Sequence, residues 1–148
     1  MKIRIRRYRQ DDRRAVLAAF RSNVPDHFPA SEEAWLRSAL DEPDGPLFVA
    51  VVGDEVVAFG LVRADRHGTG IGRALLSYRL LHMAGRKGQK GRPRYVTVDT
   101  HPHTAGFFQR CGFIEIARWP GGYRSGRDRV DLRFELSDEA VARLRAEA

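Results

Sequence analysis

Cysteine is nearly absent: Cys111 is the only one in 148 residues. A single thiol excludes an internal disulfide, so the fold must rest on its own core, and a reducing, cytosolic setting is expected. Long apolar runs are absent too. The longest, 47–52 and 56–62, fall far short of the roughly 20 residues that span a bilayer as a helix, and no membrane partner is expected. The first seven residues, Met1-Lys2-Ile3-Arg4-Ile5-Arg6-Arg7, alternate charge with apolar side chains and lack the apolar stretch of a secretory signal. Lysine is scarce, three of 26 basic residues, so the net charge of +7 is carried by arginine. A basic balance leaves anionic partners open, nucleic acid included, but the arginines are dispersed rather than blocked, as on an ordinary solvated surface. Neither an internal repeat nor a low-complexity tract is present.

What is present has the size of one domain, expected to span 1–148. Residues 2–8 alternate and read as a strand. Asp11 or Asp12 can cap a helix to about Ser22 with Val16, Leu17 and Phe20 inward. Ser31 can cap a second helix with Trp35, Leu36, Ala39 and Leu40 on one stripe. Residues 47–52 and 56–62 read as a hairpin about Gly53-Asp54-Glu55. A helical pattern begins at Ile71, after which 87–93 is a basic connector and 95–98 a buried strand. A short helix over 104–111 stops at Gly112. Two more strands, 113–119 and 129–136, flank a long turn, and Ser137 caps a final helix. The order β α α β β (loop) α β α β β α predicts an α/β (α+β) fold with a mixed, partly parallel sheet and a C-terminal helix.

The chemistry concentrates at His67-Gly68-Thr69-Gly70-Ile71-Gly72. Alternating glycines between a strand and a helix let successive N–H groups point into one concavity, and the helix N-terminus adds its dipole. Together these make a pyrophosphate cradle. No Lys-Ser/Thr pair follows, which excludes a nucleoside triphosphatase loop, and Leu75 breaks the dinucleotide-binding spacing.

This segment, continued by Arg73-Ala74-Leu75-Leu76, resembles motif A of the Gcn5-related N-acetyltransferases, the GNAT superfamily, written Arg/Gln-x-x-Gly-x-Gly/Ala. Residues Thr104-Ala105-Gly106-Phe107-Phe108-Gln109-Arg110-Cys111-Gly112-Phe113 resemble its motif B, one helix and one strand later. The resemblance covers most of the chain and implies a single-domain GNAT-like sheet with a splayed parallel pair, here 56–62 and 94–98. It implies acetyl-CoA as acyl donor. The backbone of His67, Gly68, Thr69, Gly70, Ile71, Gly72 and Arg73 would hold its pyrophosphate. Leu61 and Val62 would pair with the pantetheine arm, and Phe107 and Phe108 would wall the thioester. The implied activity is direct acetyl transfer to a primary amine, on a small molecule or a peptide. A non-catalytic acyl-CoA sensor and an acyltransferase acting on a nucleic-acid-linked amine stay open, as does a homodimer.

Three positions depart from the family. His67 stands where Arg or Gln is usual. Phe108 stands where many members place a proton-donating Tyr, and Phe has no proton to give. Between Pro46 and His67 only two strands fit, one fewer than usual. Candidate proton carriers are therefore sought elsewhere. Asp99, Thr100, His101 and His103 are expected in a loop after strand 94–98, and a His accepts an amine proton near neutral pH. No third ligand accompanies the two His, so no metal is expected. Tyr123, in the long turn, is the candidate acid in place of Phe108, with Asp128 as a partner for a cationic acceptor. Glu55 and Asp65 read as solvated turn acids. His27, between the first two helices, lies in a region that in this family often closes over the acceptor.

Overall fold

A computed structural model describes residues 1–85, 92–124 and 126–148; most of the connector expected at 87–93 lies outside them. The chain divides into two compact units, Met1–Arg79 and Leu80–Ala148.

The first unit holds a three-stranded antiparallel sheet in the order β1 (Ile3–Arg7), β2 (Phe48–Val52), β3 (Glu55–Ala58). β1 and β2 register Ile5 against Ala50, and the hairpin from Val52 to Glu55 turns on Gly53 and Asp54 alone. Gly53 has φ +61° at the first central position, where two-residue hairpins favour glycine. Helix α1 (Arg13–Arg21) buries Val16, Leu17 and Phe20 with Leu36 and Leu40 of α2 (Glu33–Asp41) and with Val49, Val51 and Val56 of the sheet. The i, i+4 spacing of Leu36 and Leu40 explains why that face of α2 is inward. Phe48, Ala50, Val57 and Ala58 pack with Ile71 and Leu75 at the start of α3 (Ile71–Ala84).

Several expectations change here. Trp35 is 54% exposed, because the apolar stripe of α2 is narrower than the sequence suggests. Ser31 caps nothing; it lies in a 3₁₀ turn, Ala30–Glu32, that leads into α2. Asp12 does not cap α1 with its side chain. Its carboxylate is buried and takes two hydrogen bonds from the Arg6 guanidinium, at 2.8 and 2.9 Å, and one from the Arg9 N–H at 2.8 Å. The strand expected over 56–62 ends at Ala58. Beyond it only an isolated bridge, Ala58 to Val62, remains of pairing, closed by the Phe59 N–H on the Leu61 carbonyl at 2.9 Å.

The second unit holds β4 (Tyr95–Thr100), β6 (Arg129–Glu135) and β5 (Ile114–Trp119), adjacent in that order and antiparallel. All ladders among the described residues are antiparallel. β4 is not the buried strand expected: Tyr95, Thr97 and Asp99 are exposed and Val96 and Val98 half-buried. Its register against β6 puts Val98 opposite Leu132 and Asp99 opposite Asp131. Helix α4 (Pro102–Arg110) packs on β6 and ends in a Schellman motif. There the Gly112 N–H reaches the Gln109 carbonyl and the Phe113 N–H the Phe108 carbonyl, both at 3.0 Å, with Gly112 at φ +100°. The Ser137 hydroxyl accepts from the Ala140 N–H at 3.1 Å and starts α5 (Asp138–Glu147) as expected.

The Arg6–Asp12 pair ties β1 to the start of α1. Removing one member of a buried pair strands the other's charge, so Asp12→Ala is expected to cost about 3 kcal/mol in urea unfolding. The hydrogen bonds from Arg6 hold the Asp12 carboxyl below the usual carboxylate range. A depressed pKa contributes stability that is complete above the unfolded-state value, near pH 4, and is lost as pH falls through the folded value. The wild-type advantage over Asp12→Ala should therefore shrink below about pH 4.

Candidate functional site

The glycine loop is a pinned approach followed by an open turn. Ala64–Arg66 forms a 3₁₀ turn, and Arg63 clasps Asp65 at 2.6 Å and Glu55 at 3.3 Å. The hydrogen bond from Arg63 holds the Asp65 carboxyl below its usual range, and both acids are spent on this turn. Gly68 and Gly70 then adopt φ +73° and +86°, the left-handed region that glycine enters without cost. A Cβ built on either meets nothing within 4 Å, so the backbone there faces open space. The Ala74 N–H bonds the Gly70 carbonyl at 3.0 Å, which makes Gly70 the cap of α3. The first-turn N–H groups of a helix have no intrahelical acceptor, and here that turn opens with Ile71-Gly72 beside the exposed glycines. An open glycine turn set against a helix start is of the kind that takes a phosphate group.

The Val62 carbonyl anchors the approach. It accepts from Asn23 Nδ2 at 2.9 Å and pairs with His67 Nε2 at 3.0 Å. Asn23 is 2% exposed and also donates to the Ala19 carbonyl at 2.9 Å, while the neighbouring Ser22 hydroxyl accepts from the Ala64 N–H at 2.9 Å. The end of α1 thus fixes residues 62–64. His67 itself is exposed, and its ring meets His27 edge-on at 4.9 Å. No motif marks Ser22 or Asn23; the only sequence signal is a polar pair after an amphipathic helix.

In the second unit Asp99 and Thr100 end β4 rather than lying in a loop, because the ladder with β6 runs on to Val130. α4 starts at Pro102, two residues earlier than expected, since proline suits the first helical position. His101 therefore stands just before the helix and His103 in its first turn. His101 is 2% exposed. Its ring meets Tyr123 edge-on at 5.2 Å and stacks near-parallel to His103 at 6.1 Å. Tyr123 is buried, its hydroxyl accepts from Arg124 Nη2 at 2.8 Å, and the Arg124 guanidinium lies 4.7 Å over its ring. The long turn thus brings Tyr123 against His101. Asp99 stays exposed on the strand, opposite Asp131. Asp128 accepts from the Gly121 N–H at 3.1 Å and so braces the turn. Phe107 and Phe108 are half-buried, and the Phe108 ring packs on Phe113 at 5.4 Å, which in turn meets Phe134.

No family model and no curated protein matches the sequence. Solved structures do match the fold. Ard1 from Thermoplasma volcanium shares 15% identity at a TM-score of 0.70, over 93% of this chain and 100% of that one. A GNAT-family acetyltransferase from Bacillus cereus shares 12% at 0.66, over 91% and 98%. An aminoglycoside 6′-N-acetyltransferase complexed with coenzyme A shares 14% at 0.68, over 90% and 97%. The chain has the fold of the GNAT acetyltransferases. The fold implied by the two glycine-bearing motifs is thereby found, with the strand before the loop shortened to Glu55–Ala58 and a single bridge beyond it. No helix among the described residues is long and apolar enough to cross a membrane.

The Asn23 anchor has a direct test. Asn23→Ala should cost about 1–3 kcal/mol in urea unfolding, the usual loss for a buried hydrogen-bonding group. Asn23→Asp should cost at least as much, because a carboxylate has no donor for two carbonyls. A loss under about 0.5 kcal/mol for both would show that other contacts hold the Val62 segment.

Proposed function

We propose that the chain is an acetyl-CoA-dependent N-acetyltransferase that moves the acetyl group directly from the thioester to a primary amine. The observation that carries this reading is the loop: two left-handed glycines with open space where side chains would stand, set against the first turn of a helix. Such a cradle fits a pyrophosphate by backbone N–H groups and helix dipole without a basic side chain. That is why His67 in place of Arg or Gln is tolerable. The coenzyme A bound to the aminoglycoside acetyltransferase neighbour supports the same ligand. The backbone of 67–73 would hold the phosphates. Because the Val62 carbonyl is already engaged by Asn23 and His67, pairing to the pantetheine arm falls to other backbone groups near Leu61 and Val62.

In the reaction the amine nitrogen forms a bond to the thioester carbonyl carbon and the carbon–sulfur bond breaks. The acceptor's ammonium first gives one proton to a base, and the neutral amine is what attacks; the departing thiolate takes a proton from its donor, and the second proton leaving nitrogen restores that donor, so amide, thiol and one released proton result. Tyr123 is the donor we assign to the sulfur, in place of the Tyr absent at Phe108. Its oxygen accepts from Arg124, so its own proton is directed elsewhere. His101 is too buried to meet solvent and orients the Tyr123 ring. The exposed Asp99 carboxylate is the acceptor for the ammonium proton, directly or through water. Positioning of the bound pair supplies most of the rate gain.

Isothermal titration with acetyl-CoA is expected to show saturable binding, and Gly70→Glu to abolish it, since a carboxylate would occupy the phosphate position. Transfer assays against amines should show acceptor-dependent release of coenzyme A, reduced about 10²-fold or more by Tyr123→Phe. Binding that survives Gly70→Glu, or binding without acceptor-dependent turnover, would exclude the loop assignment or the enzymatic reading respectively.

A further inference from the structure

Resting on the acetyl-transfer reading, we infer that Arg127 is an anion-binding residue and that the acceptor is a small primary amine carrying its own oxyanion, a carboxylate or a phosphonate. Several arginines of this chain are answered by carboxylates: Arg6 by Asp12, Arg21 by Glu33, Arg63 by Asp65, Arg129 by Asp131. Arg127, which is half-buried, is not. Its Nη1 lies 3.4 Å from both Nδ1 and Nε2 of His101. A neutral imidazole offers one acceptor nitrogen, so at most one of these long contacts is a hydrogen bond. Among the described residues Arg127 makes no ion pair.

The nearby acids are committed. Asp128 holds the Gly121 N–H, and Asp131 takes Arg129 at 2.7 Å and the Trp119 indole N–H at 3.0 Å. The Arg127 backbone is held in the turn, where its carbonyl receives the Tyr123 N–H at 3.0 Å. A partly desolvated guanidinium with no carboxylate partner is unfavourable by itself and favourable when an oxyanion completes it. Its remaining N–H groups form a planar fork suited to a carboxylate or phosphonate, and Arg124 adds a second positive charge in the same turn. The His101, His103 and Tyr123 rings make a stiff wall beside it. A polycationic acceptor would meet repulsion here.

The test compares an α-amino acid with its carboxamide as acceptors, at fixed acetyl-CoA. The acid is expected to react with at least about tenfold higher kcat/KM, and its aminophosphonate analogue to behave likewise. Arg127→Gln should bring acid and amide to parity, and Arg127→Lys should keep part of the preference. Equal rates in the wild type, or a preference that survives Arg127→Gln, would overturn the proposal. A second readout does not need turnover: the ¹⁵N resonances of the His101 ring should move on titration with acetate or methylphosphonate in the wild type and not in Arg127→Gln. If neither anion moves them in the wild type, the anion site is refuted. Acetyl-CoA titration separates the two claims. Absent coenzyme binding sinks the transferase reading, while the ring shifts still decide the anion site.

Discussion

The Val62 carbonyl receives hydrogen-bonding groups from both sides, the Asn23 amide from the end of α1 and the His67 ring from the loop itself. A glycine loop offers phosphate-binding amides only if its approach is fixed, because glycine otherwise populates many backbone states. In a longer strand set a paired strand supplies that fixity. Here the strand stops at Ala58, and beyond the backbone bonds of the isolated bridge (Phe59 N–H to Leu61, Arg63 N–H to Val57) side chains complete the hold: Asn23 and His67 on Val62, Ser22 on Ala64, and the Arg63–Asp65 clasp on the 3₁₀ turn. The left-handed turns at Gly68 and Gly70 follow directly from that anchored start.

The second unit shows a different division of labour. Phe108 belongs to a run of aromatic contacts through Phe113 to Phe134 that packs α4 on its sheet, so its lack of a hydroxyl is a packing choice at that position. The polar aromatic rings meet instead where the long turn between β5 and β6 folds back on the start of α4. That turn holds Tyr123 and Arg127 against His101, and its own geometry is kept by Asp128 on Gly121.

Much of this was legible in the sequence, for physical reasons. Periodic segments announced themselves: the inward face of α1, the stop at Gly112 and the Ser137 cap all rest on local stereochemistry that single residues decide. The glycine loop was legible as a turn, because alternating glycines ahead of a helix admit the left-handed φ found at Gly68 and Gly70. The misreadings share a cause, which is that tertiary pairing overrides local pattern. The apolar run 56–62 has the propensity of a full strand but no partner beyond Ala58. Asp99 and Thr100 looked like a loop yet extend β4 because Asp131 and Val130 continue the ladder. The Trp35 stripe ignored how narrow the buried face of α2 is. Asn23, Arg127 and the burial of His101 depend on contacts tens of residues apart and leave no mark on composition or spacing.

The claim on which the functional account stands is that backbone amides of the loop hold the coenzyme's phosphates. A ¹H–¹⁵N titration of the full chain with coenzyme A reads it most directly. The account predicts that the amides of residues 68–72 show the largest saturable shifts. Shifts confined to other segments, or none at millimolar coenzyme A, would contradict it.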